Sequence, residues 1–317
     1  MGVKTLPSFY RYILILLTFF KYQLVYANQI SPAISYDWTT ISQLTGAAMA
    51  SAGGQDLKVV TIKLSGSSAR VHRFYAQASL HGNESFTTEF VLWLAKQIRG
   101  GTSELNRLPA GSIIDLLIVA NPDSFRKSRF NKNGVNLNRN FGVLWGQSSE
   151  PTGNRAFSEP ETQAIRSMFN HYDYTAAVDI HGYLNWIVTP SSPTAISKSI
   201  SEQEKRSYEL WTNGLLANST KLSNYKIKDA YSLGDGGAFE DWAFWSKGVY
   251  SFCLEIREDK RYLRDQNGRR IDTFKGYDLY IGKVFREAVK LKDMSALHTS
   301  SNLPIKGDRS KRVASEK

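Results

Sequence analysis

An α/β fold is predicted by two observations. Strand-like apolar runs alternate with helix-like periodic stretches along most of the chain. Two S-x-x-E signatures, Ser158 with Glu161 and Ser201 with Glu204, each precede residues of helical apolar spacing. With 317 residues, 42% of them apolar and 22% charged, the chain can bury a full core, which excludes intrinsic disorder, collagen and coiled coil.

The first segment reads as an address. Lys4 and Arg11 precede an apolar run from Tyr12 to Phe20 that is too short to span a bilayer, and Val25-Tyr26-Ala27 puts small residues at positions −3 and −1. This predicts a secretory signal, residues 1–27, cut after Ala27, and a periplasmic or secreted protein with no stable membrane span afterwards. The alternative is an uncleaved anchor helix continuing through Leu24 and Val25, which Lys21 opposes because a charge is costly in hydrocarbon.

The remaining elements follow in order. Phe74 to Leu80 reads as a strand, Phe86 to Ile98 as a helix, and Ile113 to Ala120 as a buried strand. Behind the first S-x-x-E signature, Ala164, Ile165, Met168 and Phe169 share a helical face, and Thr175 to Ile180 forms a further strand. The second signature leads into Leu210, Trp211 and Leu215, so that stretch contains a helix. One domain is expected from about residue 28 to residue 300. Beyond it, residues 301–317 form a basic tail without periodicity, carrying Lys306, Arg309, Lys311 and Arg312.

Lys and Arg number 40 against 29 Asp and Glu, a formal charge of +11. The first 27 residues contribute three cations and no acid, so the chain without them carries +8. The excess favours anionic partners, but no nucleic-acid motif accompanies it and none is expected to bind. Cys253 is the only cysteine, which rules out an intrachain disulfide.

Histidines are few: His72, His81, His171, His181 and His298. Two stand at the ends of predicted strands, His81 in His81-Gly82-Asn83-Glu84 and His181 in Asp179-Ile180-His181-Gly182. Open α/β sheets place their ligands at such carboxyl ends. Two imidazoles and one carboxylate are donors that Zn²⁺ accepts, with a fourth position left for water, as in catalytic sites. Alone, H-x-x-E is weak, and His181 alone would more often be a satisfied strand-end residue.

The segment Asn121-Pro122-Asp123 through Arg129, continued by Asn133-Gly134-Val135-Asn136-Leu137-Asn138-Arg139-Asn140-Phe141, changes that weight. With H-x-x-E before it, and D-x-H, G-x-x-x-D-W and a late glutamate after it, the chain resembles the zinc metallocarboxypeptidases in fragments ordered from about His81 to Glu255. The resemblance implies a three-layer α/β/α sandwich with a mixed, mainly parallel sheet. It implies one Zn²⁺ per chain held by His81, Glu84 and His181, with Glu255 as the general base. Taken singly, Glu255 reads instead as a strand-edge acid paired with Arg257.

Arg129, nine residues before Asn138, corresponds to the family's oxyanion arginine, and Arg126 is the other candidate. Asn138 and Arg139 correspond to the pair that grips the substrate's terminal carboxylate, a planar group that suits a guanidinium fork. Two departures from the family pattern matter. Asn136 stands where the family usually has an Asp that orients a zinc-bound histidine, so a weaker metal site or slower turnover is expected. The mobile substrate-capping tyrosine falls by spacing on Leu233, and Tyr231, two positions away, is assigned instead.

Glu240, before Asp241-Trp242, corresponds to the base of the pocket for the last side chain, where an acid selects a basic residue. The plainer alternative is a solvent-exposed acid at a helix start. The resemblance therefore implies a peptide substrate with a free C-terminal carboxylate: a diaminopimelate-containing murein peptide first, ordinary Lys- or Arg-ended peptides second. Two other readings stay open, an inactive cleft that binds wall peptides or an anionic polymer, and an acylase sharing H-x-x-E and a later His.

Overall fold

A computed structural model of the chain describes residues 38–196, 199–220, 222, 224–257, 262–264 and 268–294. The predicted signal segment, the basic tail and His298 lie outside the described residues. No helix among those described is long and apolar enough to cross a membrane.

Ten strands and six α-helices follow in chain order among the described residues: β1 (Trp38–Thr40), α1 (Ile41–Thr45), β2 (Lys58–Lys63), β3 (Arg73–Ala78), α2 (Phe86–Arg99), β4 (Ile113–Leu117), α3 (Pro160–His171), β5 (Ala176–Gly182), β6 (Trp186–Thr189), α4 (Glu202–Ser219), β7 (Lys226–Asp229), α5 (Phe239–Lys247), β8 (Tyr250–Ile256), β9 (Tyr262–Arg264), β10 (Arg270–Asp272) and α6 (Thr273–Met294). Eight strands form one sheet in the order β1-β2-β4-β3-β5-β8-β6-β7. The four central strands β4, β3, β5 and β8 are mutually parallel, while β1, β2 and the β8/β6 junction are antiparallel. The predicted α/β/α class with a mixed, mainly parallel sheet is what forms.

The central strands are largely apolar because both faces are covered, with a buried polar residue such as Asp115, Gln77 or Asp179 in each of β4, β3 and β5. Alternate residues serve opposite layers. Tyr75 packs edge-on to Phe169 of α3 and meets Phe239 of α5, whereas its neighbour Phe74 stacks on Phe285 of α6. Phe239, Phe141, Phe157, Phe169 and Trp242 form one aromatic cluster with α1 and α3. Each such ring pair adds ~0.5–1.5 kcal/mol beyond its buried area.

The two helix-start signals fared differently. Ser201 and Glu204 form the predicted reciprocal capping box of α4. The first signature does not: α3 starts at Pro160 with Glu159 as N-cap and no side-chain cap bond. Glu161 instead accepts from the backbone N–H of Ala52 at 2.9 Å and from Asn131 Nδ2 at 3.1 Å. Two distant donors hold this carboxylate, and the Ser158 N–H that a capping box would offer it donates to Arg155 O at 3.1 Å. The predicted strand 113–120 also ends early, at Leu117, although Ala120 and Asn121 still donate to the carbonyls of Ala78 and Ser79.

Candidate active site

The parallel strands end together, and the site lies at that edge. After β3 the chain turns at Ser79, whose φ is +52° and whose N–H donates to Thr87 Oγ1 at 2.9 Å. The next residues form a tight turn, closed by Glu84 N donating to His81 O at 3.1 Å, which leads directly into α2. His81 and Glu84 thereby face the same way. Gly82 lies against the following loop: a Cβ there would meet the Ser124 carbonyl carbon at 2.5 Å and Ser128 O at 2.7 Å. Gly82→Ala is accordingly expected to cost ~1–3 kcal/mol, read as a lower urea midpoint; an unchanged midpoint would mean that the loop yields without strain.

On β5, His181 pairs in register with Glu255 on β8, so their side chains share one face. The donor atoms of His81, Glu84 and His181 lie within 4.8 Å of one another, and all three residues are buried. His181 Nδ1 is 3.0 Å from His81 Nδ1 and 3.0 Å from Glu84 Oε2, and His81 Nδ1 is 2.9 Å from Glu84 Oε1.

The outward nitrogens fix the tautomers. His181 Nε2 donates to Asp179 Oδ2 at 2.8 Å, since a carboxylate only accepts. Asn136 Oδ1 accepts from the backbone N–H of Asn138 at 2.9 Å, so the oxygen end of this amide also faces His81, whose Nε2 donates to it at 3.0 Å. Both Nδ1 atoms are left to face inward. Arg129 Nη1, a pure donor, bonds His81 Nδ1 at 3.0 Å and lies 3.6 Å from Glu84 Oε1. A cationic group thus already answers two of these donors, and two inward imidazole nitrogens with a carboxylate fit zinc.

The charges of the three groups are strongly coupled. Burial opposes the charge on Glu84, but His81 and His181 outweigh it and hold the carboxyl far below its usual range. Burial lowers His81, whereas for His181 the burial is overridden by Asp179 and Glu84, which raise it. Burial pushes Glu255 up to about 7. Its Oε2 is buried and has no hydrogen-bond partner.

A cleft of about 260 Å³ joins His81, His181 and Glu255 to Asn138, Arg139 and Glu240. Asn138 Oδ1 accepts from Phe239 N at 2.8 Å, which caps α5 and leaves its NH₂ as the end that can serve the cleft. Arg139 Nη1 donates to Asn138 O at 2.8 Å, and its Nη2 contacts Asp235. Gly237 permits this approach, with φ +86° and an added Cβ only 2.7 Å from the Arg139 carbonyl carbon. Glu240 is 1% exposed, so it is not the solvated helix-start acid of the plainer reading. Burial and then Asp241 and Asp235 raise its pKa well above the carboxylate range.

The other predicted residues lie further out. Arg126 has a half-exposed side chain 3.8 Å from Glu89 and is not among the cleft-lining residues. Tyr231 is 52% exposed in a short 3₁₀ turn, and Leu233 lines the cleft. His72 bonds Thr175 Oγ1 at 3.0 Å, beyond the opposite ends of the strands. Sequence reasoning missed Asp179 as the partner of His181, Asp235 beside Arg139, and Glu150. Only Asp179 carried a signal, because residues i and i+2 of a strand share a face.

A mixed sheet whose parallel strands bring two histidines and a carboxylate together at their carboxyl ends defines an α/β protein with a candidate metal site of the catalytic type. The zinc carboxypeptidase family profile matches residues 42–274, and the chain belongs to that family. Zinc is the metal of that family, and His81, Glu84 and His181 form the matching group here. The chain is 26% identical over 244 residues to carboxypeptidase A5 of Macaca fascicularis, covering 66% of this chain and 54% of that protein. It is 31% identical over 209 residues to carboxypeptidase D of Mus musculus, covering 56% of this chain and 15% of that protein. The chain therefore spans about half or less of these relatives. Carboxypeptidase A of Helicoverpa armigera has the same fold, with a TM-score of 0.56 and 21% identity over 83% of this chain and 69% of that one.

Proposed function

We propose that this chain is a zinc-dependent carboxypeptidase that hydrolyses the amide bond before a C-terminal residue carrying a cationic side chain. The observation that carries the reading is the buried donor triad with the unpartnered carboxylate oxygen of Glu255 in the same cleft. His81, Glu84 and His181 would hold the zinc, which would supply Lewis acidity towards the scissile carbonyl and water. Glu255 takes the proton from the attacking water and returns it to the leaving amine. Arg129, beside His81, donates to the developing oxyanion in preference to the more distant Arg126.

The Asn138 amide and Arg139 receive the terminal carboxylate. Arg139 shares its guanidinium with Asp235, and Arg129 is paired with Glu150 at 2.9 Å, so the two arginines bring little net positive charge. Glu240, held protonated by burial and its neighbouring acids, gives up its proton when it pairs with an ammonium, and this tilts the cleft towards a cationic side chain. Tyr231, close in sequence to Leu233, is the candidate substrate cap.

Among cationic ends, diaminopimelate in a murein peptide comes first, because the secretory-type first 27 residues suit a protein delivered to the envelope or outside it. Purified protein incubated with a murein tripeptide and with a Lys-ended peptide is expected to release diaminopimelate faster. Release of free Lys alone would reject the wall substrate, and release from neither would favour an inactive, peptide-binding cleft.

A further inference from the structure

Asn136 removes a negative charge next to His81, and the structure restores one a single bond further out. The orientation of the Asn136 amide is fixed by its oxygen, which accepts from Asn138 N–H and from His81 Nε2. Its Nδ2 therefore donates outward, to Glu150 Oε2. The same carboxylate accepts from Arg129 Nε at 2.9 Å and Nη2 at 3.2 Å, a bidentate fork, and lies 3.6 Å from Arg139 Nη2. Asn136 N donates to Pro151 O at 2.9 Å, which ties the Glu150 loop to the Asn136 backbone. Burial works against the charge on Glu150, but the Arg129 pair prevails and lowers its pKa, so it is ionised at neutral pH.

We infer that Glu150 is a positioning residue for the metal site: through the Asn136 amide it supplies the negative charge that orients His81 and raises its basicity. Asn136 and Glu150 together do the work of one carboxylate at position 136, and the amide is needed because a carboxylate there would face Glu150 with no proton between them. Glu150 also locks Arg129 beside His81, so the ligand and the oxyanion donor are held by one side chain.

The inference rests on the zinc reading above, and a four-protein cycle separates the two. Zinc dissociation constants are measured by chelator competition for the wild type, Glu150→Gln, Asn136→Asp and the double variant, with thermal unfolding of zinc-free protein as a second readout. Both single changes are nearly isosteric. Each alone is expected to weaken zinc binding by ~10–100-fold, and the double variant is expected to return to within about threefold of wild type. Asn136→Asp alone is also expected to lower the zinc-free melting temperature, and Glu150→Gln to relieve that loss. If Glu150 only anchors Arg129, Glu150→Gln leaves zinc affinity unchanged, Asn136→Asp binds zinc more tightly, and the effects add; that result would overturn the inference while sparing the zinc reading. A wild-type protein that binds no zinc would overturn both.

Discussion

Glu255→Gln is expected to lower kcat by ~10²–10⁴-fold, the contribution of a positioned general base, while zinc and substrate binding persist. The amide keeps the shape and one hydrogen-bonding oxygen but cannot take a proton from water. The position supports so large an effect. Glu255 sits at the end of β8, in register with His181 on β5, with one carboxylate oxygen buried and unpartnered. Burial raises its pKa to about 7, which suits a group that must both accept and return a proton near neutrality. Steady-state kinetics with zinc content measured on the same sample is the check. Unchanged kcat would remove Glu255 from the reaction, and loss of zinc along with turnover would make it a ligand-supporting residue instead.

Zinc removal is expected to abolish turnover and to lower the melting temperature, with both restored on reloading. Two imidazole nitrogens face each other at 3.0 Å and share Glu84, a crowd of acceptors that a cation relieves. An ion that binds the folded chain alone stabilises it by RT ln(1 + [L]/Kd), about 4 kcal/mol at a thousandfold excess over Kd. His181→Ala should behave like zinc-free protein and gain nothing from added zinc. Calorimetry on chelated, reloaded and His181→Ala samples tests this; equal melting temperatures across all three would separate the triad from any metal.

Much of the fold was legible because burial on both faces leaves the central strands largely apolar, as in Ile113 to Leu117 around the buried Asp115, and because Ser201 and Glu204 form the capping box of their own helix. The Ser158 signature failed for a tertiary reason: Ala52 and Asn131 take the Glu161 carboxylate. The site divides in the same way. His81, Glu84, His181 and Glu255 stand at strand ends within recognisable spacings. Glu150 and Asp235 sit in loops where a charged residue is unremarkable, and they acquire a role only beside Arg129, Arg139 and Asn136.

The sequence by itself determined the α/β class, the strand ends that carry the two histidines, and the chemical types available for metal, base and carboxylate binding. Those depend on residue type and local period, which are written along the chain. Only the tertiary structure decided that Glu240 is buried, that both arginines are already matched by acids, and that the carboxylate absent at position 136 returns as Glu150. Such pairings depend on distances between residues far apart along the chain, and charge interactions in a partly desolvated cleft are strong only at those short distances.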